Sequence, residues 1–149
     1  SMRLALLSME QKINDRGLDV EAEIPEDSVL VIGERDLITQ VIYNLLENAA
    51  KFASPNTALY LGLQTGEEQV VVSVCNHGAT IPPEEVRLLF ERFHKSDKSR
   101  SEDKDGYGLG LYIVNTILEQ HKEKITVTSE NGVTTFAFTL RRSRSPYTM

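Results

Sequence analysis

Asn44, Asn48 and Lys51 recur at i, i+4 and i+7 within the run N-L-L-E-N-A-A-K-F. On a helix that spacing puts two side-chain amides and an amine on one stripe, opposite the apolar flank of Val41, Leu45 and Ala49. A solvated helix face is the plain reading of such a stripe. Asparagine, however, competes with the backbone for hydrogen bonds, so two of them one turn apart weaken a helix and invite another reason. An amide oxygen is a neutral hard ligand suited to Mg²⁺, and a lysine a turn later is placed for a phosphate.

Two further stretches carry potential chemistry. Asp105-Gly106-Tyr107-Gly108-Leu109-Gly110-Leu111 sets glycines at alternate positions at the mouth of a helix. Glycine there permits positive φ and close backbone approach, while unpaired N–H groups favour an anion. A flexible hinge is the competing reading. The dinucleotide fingerprint requires a preceding strand where this chain has a hydrophilic loop, and the Gly-Lys-Ser/Thr of a P-loop is absent. The other stretch, V-C-N-H-G-A-T-I-P-P-E-E over residues 74–85, reads as a strand ending at Cys75. Asn76 then offers an amide, Gly78 allows a sharp turn, and Ile81-Pro82 leads into a helix. In isolation it is an ordinary β-to-α connection.

Several elements must position these groups. Residues 3–16, with Leu4, Leu7 and Ile13 among polar neighbours, predict a helix capped by Gly17. Val20, Ala22 and Ile24 alternate with acidic residues as a strand, and Val29 to Ile32 reads as another. From Glu34 to Ala53 apolar residues recur at helical steps. Strands follow over Ala58 to Gln64 and Gln69 to Cys75, then a short helix from Glu84 to Phe90 opened by Pro82-Pro83. Residues 94–106 contain nothing to bury and predict a long loop. A helix from Leu109 to Gln120, with Leu109, Ile113, Ile117 and Leu118 inward, precedes strands over Lys124 to Ser129 and Val133 to Leu140. Glu130-Asn131-Gly132 between them is a hairpin signal. Paired strands with helices collected between them predict an α+β, two-layer sandwich: a mixed sheet of about five strands covered on one face by about three helices.

Composition narrows the class. The chain has 149 residues, 40% hydrophobic and 26% charged, and a net charge of −6, which fits one soluble domain. Without a dense Lys/Arg stripe it is a poor candidate for nucleic-acid binding. The basic run Arg141-Arg142-Ser143-Arg144 reads as an unstructured end. Cys75 stands alone, which excludes a disulfide within one chain, and its valine neighbours suggest a buried strand thiol in a reducing, cytoplasmic setting. Ser1-Met2 resembles a cloning remnant, so a piece of a larger protein is expected.

Taken in order, the motifs resemble the ATP-binding domain of sensor histidine kinases, in the GHKL superfamily shared with gyrase. The family's N box is similar to Asn44 to Phe52, its G1 box D-x-G-x-G-I to N-H-G-A-T-I (Asn76 to Ile81), its F box to Leu89 to Phe93, and its G2 box to Gly106 to Leu111. The resemblance implies the GHKL (Bergerat) fold, with ATP and Mg²⁺ as ligands. It implies that Asn48 ligates Mg²⁺, Asn44 supports the phosphate side, Lys51 contacts phosphate and Phe52 packs on the adenine. Lys95 and Arg100, in a loop resembling the family's ATP lid, are implied as γ-phosphate contacts. Asn76, Gly78 and Ile81, then Phe93, then Gly106, Tyr107, Gly108, Leu109, Gly110 and Leu111 complete the implied nucleotide-binding positions. Residues 1–17 resemble the end of a preceding dimerisation helix with its linker, 18–141 the catalytic domain, and 142–149 a flexible tail. The resemblance further implies a dimerisation domain bearing the acceptor histidine, a response regulator, and a membrane-bound parent whose cytoplasmic portion this is.

Where the superfamily's ATP hydrolases carry a water-activating glutamate, this chain has Asn44. A neutral amide cannot take that proton, so phosphoryl transfer to another group is the better reading than hydrolysis. An S-H-E-like acceptor motif is missing, and His77, His94 and His121 read as surface residues. Two positions depart from the G1 pattern. Asn76 replaces an aspartate that accepts from the adenine amino group, a neutral bond weaker by about 1 kcal/mol, and its other end can face a guanine carbonyl. Thr80 replaces a glycine, and a β-branched residue resists positive φ, so the turn is expected to follow another path. Two readings therefore stand open: an active kinase domain with an altered base pocket, and a non-catalytic module of the same fold that acts through protein interaction.

Overall fold

The computed structural model describes residues 2–25, 29–90 and 108–143. The longest helix forms where the apolar period is cleanest. We number it α3 (Arg35–Phe52), after α1 (Met2–Ser8) and α2 (Glu10–Asp15); its Val41, Leu45 and Ala49 are wholly buried. Glu34 caps it, its carboxylate accepting from the backbone N–H groups of Asp36 (3.4 Å) and Leu37 (2.9 Å).

Five strands follow the alternation of the sequence: β1 (Asp19–Glu23), β2 (Ala58–Thr65), β3 (Gln69–His77), β4 (Ile125–Glu130) and β5 (Val133–Arg141). They form one mixed sheet in the order β1-β2-β3-β5-β4, parallel only between β1 and β2. The two-residue turn Asn131-Gly132 joins β4 to β5 with both residues at positive φ (50° and 79°), as the Asn-Gly pair demands. One sheet face carries Leu59, Leu61, Val70, Val72, Val74, Phe136, Phe138 and Leu140, all buried beneath the helices. Phe136 and Phe138 each contribute about 1.5–3 kcal/mol through that burial. Between β3 and β4 lie α4 (Pro83–Val86) and α5 (Gly108–Gln120), and α5 packs against α3. The α+β sandwich with a five-stranded mixed sheet agrees with the expectation.

Several local expectations are corrected. The first helix is broken at Met9, whose side chain is wholly buried; Ala5, Met9 and Ile13 enter the core, while Leu4 and Leu7 are exposed. Val29 to Ile32 is not a strand. Only Val31 bridges, opposite Arg142, because β4 already occupies the rest of that edge of β5 and leaves just its last residues open. The same pairing holds the supposedly unstructured Arg141 and Arg142, since Ile32 N–H donates to Arg141 O at 2.8 Å. The helix after Pro82 is one turn long and tails off through i→i+3 bonds at Leu88 and Leu89. On α5 the inward residues are Leu111, Val114, Ile117 and Leu118, and Ile113 is 37% exposed, because the helix is phased by Leu111 and Val114. Cys75 is only half-buried: it points to the open sheet face, beside the Thr135 hydroxyl (3.0 Å), away from Val72 and Val74. The expected loop 94–106, with Phe93, His94, Lys95, Arg100, Gly106 and Tyr107, lies outside the described residues, as does 144–149.

Candidate functional site

The C-terminal half of α3 carries Asn44, Asn48, Lys51 and Phe52 on successive turns, all half-buried. Asn44 is committed at both ends of its amide. Its Oδ1 accepts from Gln40 Nε2 (2.7 Å) and its Nδ2 donates to Gly110 O (3.4 Å). That second contact brings the two sequence motifs together, setting the mouth of α5 against the polar stripe of α3. Asn48, one turn on, has an amide without a hydrogen-bond partner among the described residues. Lys51 Nζ lies 5.9 Å from the centre of the Phe52 ring. Glu47, beside Asn48 in sequence, is engaged by Lys12 Nζ (2.8 Å) and the Tyr43 hydroxyl (3.2 Å).

Gly110 sits in the first turn of α5, and a Cβ there would meet nothing within 4 Å. Its φ is not positive, which corrects the conformational reason expected for it. Neither packing nor backbone strain demands glycine, and its lack of a side chain leaves open space beside the first turn of α5. Leu111 is 1% exposed and anchors that turn in the core.

The far end of α3 is stapled to β3. Ala53 pairs with Gly78 in an isolated bridge, Ser54 N–H donates to His77 O (2.7 Å), and the Arg16 guanidinium donates to Ala53 O. A Cβ on Gly78 would overlap the carbonyl oxygen of Phe52. Close approach, rather than positive φ, is therefore why glycine stands there.

β3 does not stop at Cys75 but runs to His77, so Asn76 is a strand residue. In register it lies between Leu59 of β2 and Thr134 of β5, and Thr134 in turn faces Ser129 of β4. These four form one row across the helix-covered face. Asn76 (5% exposed) and Thr134 (4%) are the buried polar residues among those described. Thr134 Oγ1 shares a hydrogen bond with Ser129 Oγ (2.8 Å), which accepts from Ile81 N–H (2.8 Å). The Asn76 amide has no hydrogen-bond partner among the described residues. A wholly buried amide in that state costs about 1–3 kcal/mol, and the residual 5% exposure of Asn76 lets water relieve part of it.

Thr80 resolves its conflict without positive φ. Its hydroxyl accepts from Gly132 N–H (2.7 Å), and Gly78 N–H donates to Gly132 O (2.8 Å), so the turn after β3 is tied to the β4–β5 hairpin. Thr134 and Ser129 escaped the sequence reading, although Thr134-x-Phe136-x-Phe138-x-Leu140 holds the signal: a polar residue in phase with an inward apolar series. His121 is no free surface histidine: Nδ1 bonds Ile117 O (2.8 Å) and Nε2 accepts from Glu34 N–H (3.1 Å), joining the end of α5 to the cap of α3.

α3, with its row of amides and a lysine, thus lies between the first turn of α5, which Asn44 touches at Gly110, and the end of β3, which carries the buried polar row of Asn76 and Thr134. Known proteins share the fold. The model of the Histidine kinase-, DNA gyrase B-, and HSP90-like ATPase family matches residues 33–144. Sensor histidine kinase CusS of Escherichia coli O157:H7 is 37% identical over 126 residues, 85% of this chain and 26% of that protein. Adaptive-response sensory kinase SasA of Gloeothece citriformis is 36% identical over 137 residues, 91% of this chain and 34% of that protein. The chain thus spans about a quarter to a third of the length of these curated relatives. Among solved structures, the catalytic domain of histidine kinase ThkA superposes with a TM-score of 0.82 at 27% identity, covering 96% of this chain and 92% of that one. Mycobacterial sensor histidine kinase MprB gives 0.79 at 27% identity, with 96% of each chain covered. The chain belongs to the histidine kinase-, DNA gyrase B- and HSP90-like ATPase family, as an ATP-binding catalytic domain of the sensor histidine kinase kind.

Proposed function

We propose that this domain holds Mg-ATP between α3, α5 and the Asn76 row. From there its γ-phosphoryl group passes to a histidine on a dimerisation domain of the parent protein. The observation that carries the reading is that the amides of Asn48 on α3 and Asn76 on the floor have no hydrogen-bond partner among the described residues, while Asn44, Thr134 and Ser129 are paired within the fold. Asn76 with Thr134 receives the base edge, and Phe52 packs on its ring. Lys51 and the N–H groups at the mouth of α5, from Gly108 through Leu109 to Gly110 and Leu111, receive the phosphates.

The donor set fits a magnesium ion. Mg²⁺ takes one or two protein oxygens and completes its shell with phosphate and water, so a single amide oxygen at Asn48 suffices. No cluster of three carboxylate, histidine or cysteine ligands exists among the described residues, which suits a metal that arrives with the nucleotide. When bound it would neutralise charge on the phosphates.

Asn44 and Glu47 argue for transfer over hydrolysis. Water must lose a proton to attack phosphorus, and the amide of Asn44 is bonded at both ends while the carboxylate of Glu47 is held by Lys12 and Tyr43. A neutral imidazole already has a lone-pair nitrogen and needs no base. It forms the N–P bond as the bond from phosphorus to the leaving ADP oxygen breaks, and its ring proton passes to solvent. Lys95 and Arg100 remain proposed contacts to the γ-phosphate, and Phe93, Gly106 and Tyr107 further nucleotide-binding positions. The parent would then pass the phosphoryl group to a response regulator, with this domain on the cytoplasmic side of a membrane-bound sensor. Residues 1–17 would continue an upstream dimerisation helix, joined to the site by Arg16.

The test supplies γ-labelled ATP and Mg²⁺ to this domain together with the parent's histidine-bearing segment as a separate polypeptide. Label on the segment that disappears when its histidine is replaced by alanine is the expected outcome. Phosphate released to water at an equal rate with or without the segment would overturn the reading.

A further inference from the structure

We propose that the base pocket accepts guanine as well as adenine, because the carboxamide of Asn76 can present either of its ends. The inference rests on the reading of the Asn76 row as the base-binding floor.

The two purines differ at one edge. Adenine offers an amino donor at position 6 beside a ring-nitrogen acceptor at position 1; guanine offers a carbonyl acceptor beside an N–H donor. A carboxylate accepts only, so it suits the adenine amino group and repels the guanine carbonyl. A carboxamide carries one acceptor and one donor group side by side. In one orientation Oδ1 faces the adenine amino group and Nδ2 the ring nitrogen. Turned by half a revolution, Nδ2 faces the guanine carbonyl and Oδ1 its ring N–H.

What decides whether the amide can turn is what else holds it. Asn44 shows the locked case: Gln40 Nε2 donates to its Oδ1 and its Nδ2 donates to Gly110 O, so rotation would break both bonds. Asn76, 95% buried and without a hydrogen-bond partner among the described residues, loses none by turning. Its neighbour on the floor is equally permissive. The Thr134 hydroxyl shares one hydrogen bond with Ser129 Oγ, in which either can be the donor, and a hydroxyl rotates to give or take a proton. The described floor therefore holds no side chain restricted to accepting.

The experiment is calorimetric titration of the domain in Mg²⁺ with ATP, GTP and ITP, for wild type and Asn76→Asp. ITP carries the guanine carbonyl and ring N–H without the 2-amino group, and so isolates the edge that meets Asn76. Wild type is expected to bind all three within about tenfold of one another. Asn76→Asp is expected to keep ATP and to lose GTP and ITP affinity by about one to two orders of magnitude. Wild type refusing GTP and ITP while binding ATP would overturn the proposal, as would equal ATP to GTP ratios in the two proteins. ITP bound but GTP refused would also overturn guanine acceptance, placing the block at the 2-amino group. Binding of none of the three overturns the underlying base-pocket reading instead. Should Asn76→Asp fail to fold, the wild-type ITP to ATP ratio alone decides.

Discussion

Replacing Asn76 with leucine should make the empty domain more stable and its nucleotide site useless. The side chain is 5% exposed, its amide has no hydrogen-bond partner among the described residues, and it stands in a row with Leu59 at the end of an apolar sheet face. A buried amide without a partner costs about 1–3 kcal/mol, and leucine is close to asparagine in shape while adding apolar burial. Since the residual exposure lets part of that cost be relieved by water, the expected gain is about 1 kcal/mol, or a rise in Tm of about 2–4 °C. Thermal and urea melts of the nucleotide-free protein measure it. The same melts with millimolar Mg-ATP should show no stabilisation in Asn76→Leu, because the base edge then loses its partner. A loss of 1 kcal/mol or more on substitution would refute the reasoning, since it would mean that the amide is satisfied within the fold.

Gly78→Ala should cost about 1–3 kcal/mol or more by urea melt, because the added Cβ would overlap the carbonyl of Phe52 and neither backbone can retreat without breaking the Ala53–Gly78 bridge. Thr80→Val keeps the branched shape but leaves the Gly132 N–H without its acceptor, and should cost about 0.5–1.5 kcal/mol on the same assay, with Thr80→Ser restoring most of it. Asn48→Ala removes a mid-helix amide that makes no bond among the described residues, so stability should rise or hold within about 0.5 kcal/mol. Its Mg²⁺-dependent gain from ATP, read as a thermal shift, should disappear.

The parts of the fold legible in the sequence are those where one local signal dominates. The α3 stripe, the alternation in β2, β3 and β5, and the Asn131-Gly132 turn each follow from periodicity or from one backbone requirement. What escaped depends on partners far along the chain. Met9 is helix-compatible, and nothing in the local sequence marks the break there. Val29 to Ile32 has strand composition but finds only the unpaired end of β5 to bond. Gly78 reads as a sharp-turn glycine, but the close approach to Phe52 that requires it is a fact of tertiary structure. Thr80 reads as a residue that diverts the turn, yet its hydroxyl serves the hairpin, 52 residues along the chain, which the sequence alone does not bring to it. The polar stripe is legible because α3 concentrates its side chains; of the floor only Asn76 is, because Thr134 and Ser129 come from two other strands and meet it only through sheet register.

The measurement that bears most directly on the account is the melting temperature of this domain with and without millimolar ATP, each in the presence and absence of Mg²⁺. A ligand at a hundred times its Kd adds about 2.7 kcal/mol, which for a domain of this size raises Tm by about 5–10 °C. The account predicts a rise that needs both ATP and Mg²⁺ for its full extent and that is lost in Asn48→Ala. A melting temperature unchanged by ATP with Mg²⁺ would contradict it and leave a module of this fold that acts through protein interaction alone.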